Sequence, residues 1–148
     1  MRKFKKLDWN EENLESLSNG DLKKLGDYWL RKYLLNKTEK INNKVYCPLK
    51  KKWFIEDQIH CCHFFDRSVI HLRFDLRNVH LISSISNTFD SQIQVEGYKS
   101  KHHKEYEEYL INKIGVKNID EMLQIKNNLT IFVKEDYIKV IKQFRYGD

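Results

Sequence analysis

Hydrophobic spacing divides the chain into two helical flanks around a centre that lacks helical period. In "LSNGDLKKLGDYWLRKYLLNK", Leu22, Leu25, Trp29 and Tyr33 recur at helical spacing. Ser18 followed by Asp21 resembles a capping box, which predicts a helix that packs on the core and flanks the active part. Gly26 is the one weak position inside it. "NKTEKINN" reads as a polar connector. From Lys44 to Leu81 β-branched and aromatic residues take over, predicting strands near Trp53–Ile55, Ile59–Phe65 and Asn78–Ile82. "ISSISNTFDSQ" then predicts a short helix beginning at Ser83 or Ser84, because serine caps helices well. "YKSKHHKEYEEYLINKIG" is a further helix with Tyr106, Leu110 and Ile114 on one face and Gly115 as its stop. "NIDEMLQIKNN" predicts a short helix capped by Asn118. "TIFVKEDYIKVIKQF" predicts another, with Tyr137, Val140, Ile141 and Phe144 on one face. The expected fold class is α+β, with a ββα-sized centre.

Length and composition narrow this. With 148 residues, one domain with a proper core is expected, divided as a helical extension at 1–43, a core at 44–95 and a helical part at 96–148. The chain is 41% hydrophobic and 32% charged, a globular balance that excludes a disordered chain. It has no internal repeat and no apolar run long enough for a bilayer, so no membrane partner is expected. "MRKFKKLDWNEEN" lacks the apolar stretch of a signal peptide, and a cytoplasmic location is the expectation. The three cysteines, Cys47, Cys61 and Cys62, are too few and oddly numbered for a disulfide framework. The net charge of +6 favours an anionic partner, with nucleic acid the commonest.

Candidate chemistry centres on "DQIHCCHFFDRS". Phosphodiester hydrolysis needs an attacking water, a base to take its proton and a cation to stabilise charge. A histidine near its ordinary pKa suits the base, and His63 is the candidate. Asparagine oxygen is a hard ligand suited to Mg²⁺, and Asn87 is the candidate ligand. Asn78 could instead tie down the loop between the strands and so hold the histidine.

The stretch "HCCHFFDRSVIHLRFDLRNVHLISSISN" resembles the HNH motif of the phage NinG (Rap) recombination nucleases. His63 matches the family's histidine and Arg67 its arginine. Leu72-Arg73-Phe74 matches "LRF", Asp75 the acidic residue, and Asn78-Val79-His80 matches "NVH". Asn87 falls on the asparagine that closes a "C-x-x-C-N" segment, and Tyr106, Leu110 and Ile114-Gly115 match a later stretch. The resemblance runs from about Cys47 to Leu123. It implies a ββα-metal (His-Me finger) core with flanking N- and C-terminal helices. It also implies a DNA endonuclease using Mg²⁺ or Mn²⁺, acting on branched recombination intermediates in phage or prophage recombination. His63 is then the general base, Asn78 a catalytic-site residue and Asn87 a metal ligand.

Departures from the family pattern set further expectations. The family's paired zinc cysteines are reduced to Cys47, with Lys50, Ser83 and Ser86 in the other slots, so no structural zinc is expected. Burial of Trp53, Phe54, Phe64 and Phe65 is expected to supply the missing stability. The ligand slot before the base holds Cys62, a soft donor ill-suited to Mg²⁺. His60 is the preferred second ligand and Asp66 the other option, although a regular strand sets His60 on the face opposite His63 unless a bulge intervenes. Cys61 and Cys62 read as one buried small residue and one lining the site. Arg67 and Arg73 are candidates to grip the scissile phosphate. Lys99, Lys101 and His102, at the start of a helix, are candidate phosphate contacts. No standard recognition helix is present, so structure-selective or nonspecific binding is expected. Junction cutting would suit a homodimer, by analogy. The competing classes are a DNA-binding protein of the same fold without catalysis and a zinc-binding adaptor built on Cys47, His60, Cys61 or Cys62 and His63.

Overall fold

A computed structural model describes residues 6–84, 101–128 and 130–147. The fold is mixed α+β, with small antiparallel sheets and helices. The chain forms two compact units, residues 1–36 with 131–148, and residues 37–130.

In the first unit a short 3-10 turn, Leu14–Ser16, precedes helix α1, Asn19–Lys37. Ser18 caps α1 through its Oγ, which accepts from the Asp21 N–H at 3.1 Å. Leu22, Leu25 and Gly26 are buried as the first turns of the apolar face, which then continues through Leu30 and Leu35. Trp29 and Tyr33 are half-buried at its margin. The Trp29 indole N–H donates to the Trp9 carbonyl at 3.0 Å, and Tyr33 packs on Phe144 with ring centroids 5.2 Å apart. Helix α5, Lys134–Tyr146, buries Tyr137, Ile138, Ile141 and Phe144. Arg145 donates to the carbonyls of Glu11 and Asn10, both at 2.9 Å.

The second unit opens with a three-stranded antiparallel sheet, β1 (Lys40–Ile41), β2 (Lys44–Cys47) and β3 (Lys52–Ile55). The segment expected to be a polar connector therefore forms a strand and a tight turn. Asn42 and Asn43 supply the turn at φ 52° and 60°, a left-handed conformation that asparagine tolerates better than most residues. In β2 burial alternates: Val45 and Cys47 face inward, Lys44 and Tyr46 outward. Tyr46 pairs with Trp53 in the register. Trp53 is thus on the outer face and 38% exposed, contrary to the expectation of burial, whereas Phe54, Phe64 and Phe65 are half-buried.

A second hairpin pairs β4 (Ile59–His63) with β5 (Val79–Ser83). Between them residues 64–78 form a loop containing one helical turn, α2 (Ile70–Arg73). Helices α3 (Lys101–Ile114) and α4 (Val116–Asn127) meet at Gly115, whose φ of 84° breaks the helix. Asn118 is not the cap expected of it; it lies inside α4, its amide donating to the Ile114 carbonyl at 2.7 Å. Leu72 of α2 is fully buried with Leu110 of α3 and Met122 of α4, and Phe64, Phe65 and Val69 pack around them. At roughly 1.5–3 kcal/mol per buried apolar side chain, this cluster holds the loop against two helices. Ser83 closes β5, and the helix expected from Ser83 or Ser84 onward lies outside the described residues. No helix among the described residues is long and apolar enough to cross a membrane.

Candidate functional site

The β4–β5 loop is organised by the Asn78 side chain, which is fully buried. Its Oδ1 accepts from the Phe65 N–H at 2.7 Å. Its Nδ2 donates to the carbonyls of Phe65 and Leu72, both at 3.0 Å. Its carbonyl accepts the Phe64 N–H at 3.0 Å. One amide thus satisfies three backbone groups that the loop cannot pair internally, which is why the position requires both a donor and an acceptor. Asn78 ties down the loop, one of the two roles its sequence context suggested.

Arg77 fixes the outside of the same loop. It makes a two-pronged contact with Asp75, Nε to Oδ1 at 3.1 Å and Nη2 to Oδ2 at 2.8 Å, and reaches Glu121 of α4 at 2.9 Å. Both carboxylates raise the Arg77 pKa, the hydrogen bond to Asp75 most of all. A ring nitrogen of His71 lies 2.9 Å from the Thr130 carbonyl. Sequence reasoning missed Arg77; the nearby Asp75, two residues before it, was the available signal.

His63 closes β4 at the base of this loop. Its Nε2 lies 2.9 Å from the Arg73 carbonyl. A carbonyl only accepts, so Nε2 carries the hydrogen and the neutral ring holds its lone pair on Nδ1. Arg73 also donates from Nη1 to the Arg67 carbonyl at 3.3 Å. Asp66 follows in the same loop, its carboxyl held below the usual range by hydrogen bonds from Ser68, with the Arg67 charge, and that of His63 when its ring is protonated, acting in the same direction. The loop that starts after His63 thus carries Asp66, Arg67, Arg73 and Asn78, with the Arg73 carbonyl on the His63 ring and the Arg73 guanidinium on the Arg67 carbonyl.

His60 is not part of that group. The register runs one-to-one from Ile59↔Ser83 to His63↔Val79 with no bulge, so His60 projects from the opposite face of β4. Strand parity therefore does not favour His60, the preferred second ligand, for an ion shared with His63; Asp66, the other option, lies in the loop that follows His63. Asn87 and Lys99 lie outside the described residues, as does the Lys101 side chain. His102 is half-buried with its ring edge-on to Tyr106, 6.1 Å between centroids. Among the described residues no three His, Cys, Asp or Glu side chains are grouped to hold a metal ion.

Behind the hairpin sits a buried polar group. The hydroxyl of Tyr106 donates to the Cys62 carbonyl at 2.9 Å and so accepts from Nδ1 of His80 at 2.5 Å. Burial, then the nearby Lys113 and His63, push the His80 pKa down to about 3, so this ring is neutral. Its Nε2 is buried without a hydrogen-bond partner among the described residues. His80 thus lies behind the loop as a buried, neutral ring. Burial likewise pushes the Cys62 thiol up to about 12, with Cys47 and Cys61 contributing. A metal-binding sulfur must be a thiolate, so Cys62 does not fit the ligand slot it occupies. Cys61 is half-buried. The Cys47 sulfur accepts from the Lys50 N–H at 3.4 Å and the Ser83 N–H at 3.3 Å, joining the two hairpins.

Known protein families, curated proteins and solved structures contain no match to this chain.

Two outcomes follow from these contacts. Asn78→Asp puts a carboxylate against the Phe65 and Leu72 carbonyls in place of a donor, and is expected to lower the unfolding free energy in urea by about 3–5 kcal/mol; a loss below about 1 kcal/mol would contradict the clamp. His80 has a folded pKa of about 3, below its ordinary 6.5, so stability is lost as pH falls from 6.5 toward 3 while the unfolded chain takes up a proton. Between pH 6 and 5 the wild type should lose about 1 kcal/mol more than His80→Gln in paired urea titrations.

Proposed function

We propose that the chain is a metal-dependent endonuclease of the HNH type that hydrolyses DNA phosphodiester bonds. In this reading β4 and β5 are the two strands of a ββα-metal unit. The observation that carries it is the His63 contact with the Arg73 carbonyl. That bond leaves Nδ1 as the basic nitrogen, on a ring held by a loop that Asn78 clamps. Arg67 and Arg73, whose guanidinium donates to the Arg67 carbonyl, lie in that loop and are assigned as phosphate ligands, because their planar donor pattern matches phosphate oxygens. The Cys47–Ser83 contact adds support, because these two positions belong to the two cysteine pairs that converge on one zinc in the family the sequence resembles.

His63 takes a proton from water onto Nδ1, and the water oxygen attacks phosphorus opposite the 3′ oxygen. The bond from phosphorus to the 3′ oxygen breaks, leaving a 5′ phosphate and a 3′ hydroxyl. The arginines hold the phosphate in line and take up charge that grows on its oxygens. Mg²⁺ or Mn²⁺, when bound, neutralises charge on the phosphate and the leaving oxygen. Asp66 fits such an ion as a hard, ionised oxygen donor; the buried, protonated Cys62 does not. The family resemblance assigns Asn87 as a further ligand. It also extends the substrate to branched recombination intermediates, with a homodimer suited to cutting two strands. A cytoplasmic location accords with that substrate.

Cys62 also favours a second reading, a DNA-binding protein of this fold without catalysis. Supercoiled plasmid and a four-way junction incubated with Mg²⁺, Mn²⁺ or EDTA separate the two. Metal-dependent cutting that falls at least about a hundredfold in His63→Ala, the scale of a lost general base, is the expected result. Uncut DNA with salt-sensitive binding would establish the second reading in its place.

A further inference from the structure

We propose that the outer face of the β1–β2–β3 sheet is a stacking platform for unpaired, single-stranded DNA. The proposal rests on the DNA-directed reading above and adds to it a separate contact for unpaired bases. Tyr46 and Trp53 are direct cross-strand partners, with ring centroids 5.4 Å apart. They remain 42% and 38% exposed. Large aromatic rings on a sheet face ordinarily seek cover, and these lie open beside cations. Lys44 shares their face, since β2 alternates and Lys44 is two residues from Tyr46. At the other end of the pair the β2–β3 turn presents Lys50 and Lys51, both exposed.

The turn is fixed rather than floppy. The Lys51 N–H donates to the Cys47 carbonyl at 2.8 Å, and the Lys50 N–H reaches the Cys47 sulfur at 3.4 Å. Lys51 lines a groove together with two acidic residues, Glu105 and Glu108, so Lys44 and Lys50 are the cations assigned to the ligand. Glu56, which follows β3, is already paired with Lys40 at 2.8 Å. Two open rings flanked by cations at both ends fit a single strand, whose bases present stacking faces and whose phosphates carry the charge. A duplex hides those faces within its own stack. The platform therefore discriminates single strand from duplex.

The full chain is titrated against fluorescein-labelled dT15 and against a 15-base-pair duplex, with anisotropy read across a NaCl series. Trp53→Ala should weaken dT15 binding about tenfold and leave duplex binding and the dT15 salt slope unchanged. Trp53→Phe, which keeps a ring, should stay within about threefold of the wild type, and thermal melting of both variants controls for folding. Lys44→Ala with Lys50→Ala should lower the salt slope by about 0.7 per phosphate contact removed. Wild-type dT15 affinity in a folded Trp53→Ala variant overturns the proposal, as does an equal loss on duplex. A dimer in sedimentation that Trp53→Ala dissociates also overturns it, because the face is then a protein interface. Plasmid nicking run beside these titrations keeps the two claims apart. Nicking with Trp53-independent dT15 binding removes the platform alone, whereas Trp53-dependent binding without nicking removes the nuclease alone.

Discussion

Everything arranged around His63 depends on one amide. The loop of residues 64–78 must leave β4, turn through α2 and return to β5, and it cannot pair all its backbone groups on the way. The buried Asn78 side chain supplies one acceptor and two donors to Phe65 and Leu72. Leu72 in turn anchors the loop in the apolar cluster with Leu110 and Met122. Because α2 is fixed at Leu72, the neighbouring Arg73 carbonyl is fixed too, and that carbonyl sets the ring of His63. Polar satisfaction, apolar burial and the tautomer of one imidazole thus form a single chain of dependence.

The surroundings of the loop separate groups that could otherwise compete with His63. Burial holds His80 neutral and keeps the Cys62 thiol protonated. Both sit on the inner side of the hairpin, linked through Tyr106 and the Cys62 carbonyl. Cys47 accepts two backbone N–H groups, one from its own turn and one from Ser83. That pair of bonds connects the two hairpins by neutral hydrogen bonding to sulfur.

Much of the arrangement was legible because period and parity are written locally. The helices were visible from apolar spacing, with Ser18 and Gly115 marking ends the structure also uses. The β4–β5 strands and the loop role of Asn78 were visible from β-branched runs flanking a polar loop. The first strand was hidden because Lys40 and Ile41 are both exposed and lack alternation, leaving only the paired Asn42 and Asn43 as a turn signal. Helix α2 was hidden by its length of four residues, too short to express a period. Trp53 was misjudged since hydrophobicity does not specify which sheet face a residue takes; the register with Tyr46 does. His60 projects from the face opposite His63 for the reason parity supplies, and only the register shows that no bulge alters it. Arg77 escaped notice because its partner Glu121 is 44 positions away.

The central claim is that the clamped loop sets His63 with its hydrogen on Nε2 and its lone pair on Nδ1. Long-range ¹H–¹⁵N correlation spectra of histidine-labelled protein read this directly at a pH where the ring is neutral. The account predicts the Nε2–H tautomer for His63, with that hydrogen slow to exchange because the Arg73 carbonyl holds it. A His63 ring found as the Nδ1–H tautomer, or exchanging freely between the two, would contradict it.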